Sequence, residues 1–102
     1  MDEKEKIVVK VDPEIADLVP GFLNNRKKDI ENMEACLEEQ NFEKIERLGH
    51  SMKGSGAGYG FEGITEIGKS IEIAGKKKNV GGIKKGIEDL RDYLDRVEIV
   101  NE

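Results

Sequence analysis

The chain has no tryptophan, two tyrosines and three phenylalanines. Its core must therefore be mostly Ile, Leu, Val and Met. Cys36 is the single cysteine, which excludes an internal disulfide and fits a reducing compartment. No function is assigned to Cys36, which is expected to be partly buried and inert. No apolar run approaches the roughly 20 residues that span a bilayer, and no signal-peptide pattern opens the chain. A cytosolic, soluble protein with no membrane partner is expected. A basic surplus is also missing: the net charge is −5, which argues against a general nucleic-acid binder. The one histidine, without a cysteine cluster, falls short of a zinc ligand set.

The 102 residues suit one domain with a modest core. Charged residues make up 38% and hydrophobic residues 36%, but the apolar positions are periodic, which indicates a folded chain. Residues 1–11 read as an N-terminal arm. It is a charged tail followed by the short stretch Ile7-Val8-Val9-Lys10-Val11, for which no second strand is evident. Residues 12–102 form the domain proper. Asp12-Pro13-Glu14 starts a short helix with a capping Asp and Pro in the first turn. Pro20-Gly21 should break or kink it, with Phe22 opening the next.

Phe22, Leu23, Ile30, Met33 and Leu37 mark one amphipathic helix, and Gln40-Asn41 is a turn. Ile45, Leu48, Met52 and Tyr59 mark a second, ended by the glycines near 58–60. Phe61, Ile64, Ile67, Ile71 and Ala74 mark a third, whose negative end suits Lys76-Lys77-Lys78. Asn79 caps a fourth, where Val80, Ile83, Ile87, Leu90, Leu94 and Val97 form a seam. Short connections imply antiparallel neighbours. The fold class is all-α: an antiparallel up-down four-helix bundle with a short additional N-terminal helix.

His50 lies among five glycines: Gly49, Gly54, Gly56, Gly58 and Gly60. A helix advances about 100° per residue. With Ile45 at zero, Leu48, Met52, Gly56 and Tyr59 fall within about 60°, while His50 falls at about 140°. The imidazole thus stands on the solvent side, with Arg47, Lys53 and Gly54 one turn away. Each helical glycine costs about 1 kcal/mol relative to Ala. Gly56 faces the core and allows close packing. Gly54 does not, and its use is to leave room beside His50 for another molecule. An exposed imidazole is a nitrogen nucleophile at neutral pH, and a nearby ammonium neutralises a phosphoryl group attached to it. That set suits a covalent phosphoryl carrier. It does not suit a hydrolase, since no base or orienting acid is near in sequence.

The glycines do not form a nucleotide loop, because Lys53 precedes them and the segment before it is helical. A dinucleotide fingerprint fails as well, since Tyr59 and Phe61 sit where a final glycine would be required. Tyr59 is read as packing, and Lys76 to Lys78 as a solvated helix end.

His50-Ser51-Met52-Lys53-Gly54, followed after five residues by Gly60, resembles the signature of histidine-containing phosphotransfer (HPt) domains. The helical pattern from about 12 to 98 resembles that family too. The resemblance implies phosphorylation of His50 on Nε2, stabilisation of the phosphoryl group by Lys53, receiver access at Gly54, and Gly60 in the turn. It implies a carrier and not an enzyme with its own nucleotide-binding or kinase site. Phosphate would come from a receiver-domain aspartate and pass to another receiver. Response-regulator receivers, or those of a hybrid histidine kinase, would be the partners. No cofactor is implied, with Mg²⁺ coming only from the receiver.

If the helices fold back around Gly60-Phe61, position 50 lies level with 71–72. Ile71 belongs to the core, so Glu72 would reach His50 Nδ1 and leave Nε2 free. Lys69 and Lys76 share the Glu72 face and would add positive charge. Two alternatives stay open: a phosphoryl-accepting domain excised from a hybrid or chemotaxis-type kinase, and a non-catalytic helical adaptor that binds receivers. Met1 and the short tails favour a whole small protein. The resemblance and the lack of a spare apolar face favour a monomer.

Overall fold

The computed structural model describes residues 5–101. Residues 1–4 of the expected arm lie outside the described residues. A strand β1 (Ile7–Val11) leads into a 3-10 helix (Pro13–Leu18). Four helices follow: α1 (Val19–Glu38), α2 (Phe42–Tyr59), α3 (Glu62–Lys76) and α4 (Val80–Arg96). A second strand, β2 (Val97–Asn101), ends the described chain. The helices form the expected all-α four-helix bundle, each packed on its neighbour in sequence, with α1 closing the ring against α4.

Local chemistry sets the boundaries. Asp12 accepts a hydrogen bond from the Glu14 amide at 2.8 Å and starts the 3-10 turn. Pro20 does not break the chain there. It occupies the first turn of α1, where a missing N–H costs nothing because that amide has no intrahelical partner. Asn41 and Asn79 cap α2 and α4 through the amides of Lys44 and Gly82. Gly60 ends α2 at φ 83°, in the left-handed region where glycine carries no Cβ penalty. Phe61, fully buried, turns the chain into α3.

Met33, Ile45, Met52, Phe61, Ile64, Ile71, Ile83 and Leu90 are fully buried in one core. Cys36 is buried and free. Phe22 stacks on Tyr59 with ring centroids 4.4 Å apart and meets Phe61 at 5.1 Å. On α4 the seam is shorter than its periodicity suggested. Val80 is exposed at the helix start, Tyr93 is buried, and Val97 has left the helix.

Val97 has left because β2 pairs with β1, in parallel and in register from Ile7 opposite Val97 to Val11 opposite Asn101. The stretch at 7–11 therefore does have a partner strand. Val97, Ile99 and Val100 are β-branched and favour extended backbone, but the spacing of Val97 continued the helical seam and masked the change. Ile7, Val9 and Val97 pack against the core from one face of this two-stranded sheet, and Val11 is buried within it.

The tightest packing in the bundle joins α2 to α3. A Cβ at Gly49 would lie 2.5 Å from the Glu72 amide nitrogen and 2.8 Å from the Gly68 carbonyl. A Cβ at Gly68 would lie 2.6 Å from the Lys53 amide nitrogen. The two backbones touch because neither residue has a side chain. Gly56 against Thr65 and Gly75 against Glu46 extend the contact in both directions.

A pair of alanine substitutions tests this packing. Gly49→Ala gains helix propensity but forces the helices apart, and overpacking costs about 1–3 kcal/mol. We expect a net loss of several degrees in Tm. Gly54→Ala meets nothing within 4 Å and should hold or raise Tm, since alanine is favoured over glycine by about 1 kcal/mol in a helix. Calorimetry of the two variants checks both signs, and a Gly49→Ala protein as stable as wild type contradicts the close approach.

Candidate functional site

His50 sits midway along α2, on the side turned away from Ile45 and Met52, and its side chain is 68% exposed. Lys53, one turn on, is on the same side, and Gly54 beside it leaves open space. Across the glycine contact, α3 presents Glu72. Its Oε2 lies 2.9 Å from His50 Nδ1, and its Oε1 lies 2.9 Å from Lys53 Nζ. One carboxylate thus engages both of these side chains of α2, each through its own oxygen.

The proximity has a backbone cause. Gly49 packs on the Glu72 backbone, and Gly68, one turn before Glu72, packs on that of Lys53. A larger residue at either position would push α3 away and pull the carboxylate out of reach.

Hydrogen bonding to Lys53 holds the Glu72 carboxyl below its ordinary 4.5, and the hydrogen bond to His50 adds to this. Glu72 is thus ionised at neutral pH and can only accept. The shared proton must then be carried by His50 Nδ1, which leaves a lone pair on Nε2 in the neutral ring. Among the described residues, Nε2 has no hydrogen-bond partner. The arrangement is an oriented, accessible nitrogen nucleophile with an ammonium one helical turn away.

His50, Lys53 and Glu72 are brought together, and Gly54 borders them. Arg47 stands apart, in a loose 4.0 Å pair with Glu43 where both side chains are largely exposed. Lys69 and Lys76 are exposed on α3 and form no ion pair with Glu72. Sequence reasoning missed the structural role of Gly49 and Gly68. A signal was present, because Gly49 and Gly56, and again Gly68 and Gly75, are seven apart and so recur on one helix face. It also missed Arg26, on α1. Arg26 donates from Nη1 to the Ser55 hydroxyl at 3.0 Å, pairs through Nε with Asp29 at 2.8 Å and covers the Phe22 ring, tying α1 to α2.

Among the described residues no helix is long and apolar enough to cross a membrane. No solved structure matches the chain. A curated relative, the "Phosphorelay intermediate protein YPD1" of Candida albicans, is 31% identical over 95 residues. The match covers 93% of this chain and 47% of the relative, so the chain spans about half the length of that protein. The Hpt domain model matches residues 17–99, which takes in all four helices together with His50, Lys53, Gly54 and Glu72. With the bundle and its exposed, oriented histidine, that match establishes that the chain belongs to the Hpt domain family, whose members are phosphotransfer carriers and not kinases.

Proposed function

We propose that this chain is a phosphoryl carrier in a two-component phosphorelay, accepting phosphate on His50 Nε2 from a receiver-domain aspartate and passing it to another receiver. The observation that carries the reading is the hydrogen bond between Nδ1 and Glu72, which leaves the other ring nitrogen unprotonated and facing solvent. The Nε2 lone pair attacks phosphorus, and an N–P bond forms as the P–O bond of the acyl phosphate breaks. The aspartate leaves as a carboxylate. The Nδ1 proton stays in place, and the ring becomes cationic beside the Glu72 anion. Because a cationic ring is also a good leaving group, the step runs readily in reverse, as a carrier requires.

Lys53 neutralises charge on the phosphoryl oxygens. Gly54 leaves the approach clear for a partner as large as a receiver domain. The receiver supplies the reacting aspartate and the Mg²⁺. The carrier has no nucleotide site or cofactor of its own in this reading, and works as a cytoplasmic monomer with response regulators or with the receiver of a hybrid kinase. The relative's phosphorelay role supports the assignment.

The direct test is incubation with a phosphorylated receiver. Label should pass to wild type and not to His50→Gln. Equal labelling of both would exclude His50 as the acceptor, and stable binding without transfer would indicate an adaptor. Lys53→Ala should fold normally and transfer about tenfold more slowly, less than for an enclosed oxyanion site because this one is open to water.

Acid should break the Glu72 tether in a set direction. The folded-state value of Glu72 is depressed, so its contribution is complete above the unfolded value and is lost as pH falls through the folded one. The His50 Nδ1–H resonance should therefore persist at pH 4.5 and disappear at lower pH. Loss of that resonance well above pH 4.5 would contradict the tether.

A further inference from the structure

The Glu72 carboxylate is divided between two donors. Oε2 takes His50 Nδ1 and Oε1 takes Lys53 Nζ, each at 2.9 Å. The carrier role asks the same ammonium to hold phosphoryl oxygens at Nε2, on a different edge of the ring. One lysine must therefore serve two anions. Building on the reading of His50 as the phosphoryl acceptor, we propose that Glu72 is a latch for Lys53. Glu72 parks the ammonium in the resting protein, and phosphorylation of Nε2 draws Lys53 onto the phosphoryl oxygens, leaving Glu72 to the ring alone.

Three observations support the exchange. The Lys53 side chain is 37% exposed and that of Glu72 22%, so the pair lies at the surface, where an ion pair contributes little and can trade partners. The competing anion is stronger: a phosphoryl group carries close to two negative charges and three acceptor oxygens, whereas the carboxylate has one charge and already gives one oxygen to the ring. Finally, the motion is confined to a side chain. Gly68 pins the Lys53 backbone, while open space at Gly54 leaves the flexible four-carbon stem room to move.

Glu72 does not lose its role when Lys53 departs. The phosphorylated ring, still protonated on Nδ1, is cationic, so its hydrogen bond to the carboxylate becomes charge-assisted. When the phosphoryl group leaves, the ring returns to neutrality and Lys53 returns to Glu72. Each state of the cycle therefore has a partner for the carboxylate.

The test uses the whole chain, with phosphoramidate as the phosphoryl donor so that no receiver is needed. The N–P bond to His50 forms as the P–N bond of phosphoramidate breaks and ammonia leaves. Glu72→Gln keeps an amide oxygen for the Nδ1 proton but offers Lys53 no charge. The readouts are the Lys53 ammonium resonance and the His50 ring-nitrogen shifts. In unphosphorylated protein the Lys53 resonance should differ between wild type and Glu72→Gln. After phosphorylation it should move in wild type and coincide in the two proteins, with Nδ1 protonated in both. A labelled His50 beside an unmoved Lys53, or a Lys53 signal that still depends on Glu72 after labelling, overturns the latch alone. Failure of phosphoramidate to label His50 overturns the acceptor reading, and the latch falls with it.

Discussion

Backbone-to-backbone contact between α2 and α3 is the constraint on which the site depends. Gly49 and Gly68 lack side chains where these helices meet, so the Glu72 backbone rests directly on α2. An ordinary interaxial distance of 8–10 Å accommodates side chains between helices. Removing them lets a medium-length side chain on one helix span to its neighbour. The glutamate can therefore reach both His50 and Lys53. Helical glycines are unfavourable locally, and the close approach is what they contribute in return.

The same contact separates two requirements that oppose each other in a carrier. A nucleophilic ring must be exposed to meet a large partner, yet exposed side chains are usually free to rotate. Here the ring is anchored on Nδ1 while most of its surface stays in water. Positioning comes from the helix behind the ring, not from a pocket around it. Open space at Gly54 leaves the front clear, and in the proposed role Lys53 would supply charge from the side. Arg26, bonded to Ser55 and stacked over Phe22, performs the corresponding task on the far side of α2 by fixing that helix against α1.

The two-stranded sheet is an addition at the periphery of the bundle. It joins the two ends of the described chain in parallel, with the whole bundle as its crossover connection. An isolated pair of strands is marginal in water. This pair persists because Ile7, Val9, Val11 and Val97 pack on the core, while Val8 and Val100 remain exposed.

Much of this protein was legible in its residues. The apolar spacing of Ile30, Met33, Ile45, Met52, Ile64, Ile71, Ile83 and Leu90 determined four amphipathic helices. Asn41, Gly60 and Asn79 determined their ends, because capping and left-handed turns are local chemistry. The angle of His50 from Ile45 determined that the imidazole faces water, and the fold-back at Gly60 placed Glu72 opposite it. Tertiary structure alone decided two matters. It decided that Val97 begins a strand, because a strand needs a partner and that partner lies ninety positions earlier, at Ile7. And it decided that Gly49 and Gly68 touch, so that Glu72 serves two residues at once, because the distance between helices is set by the side chains both of them lack.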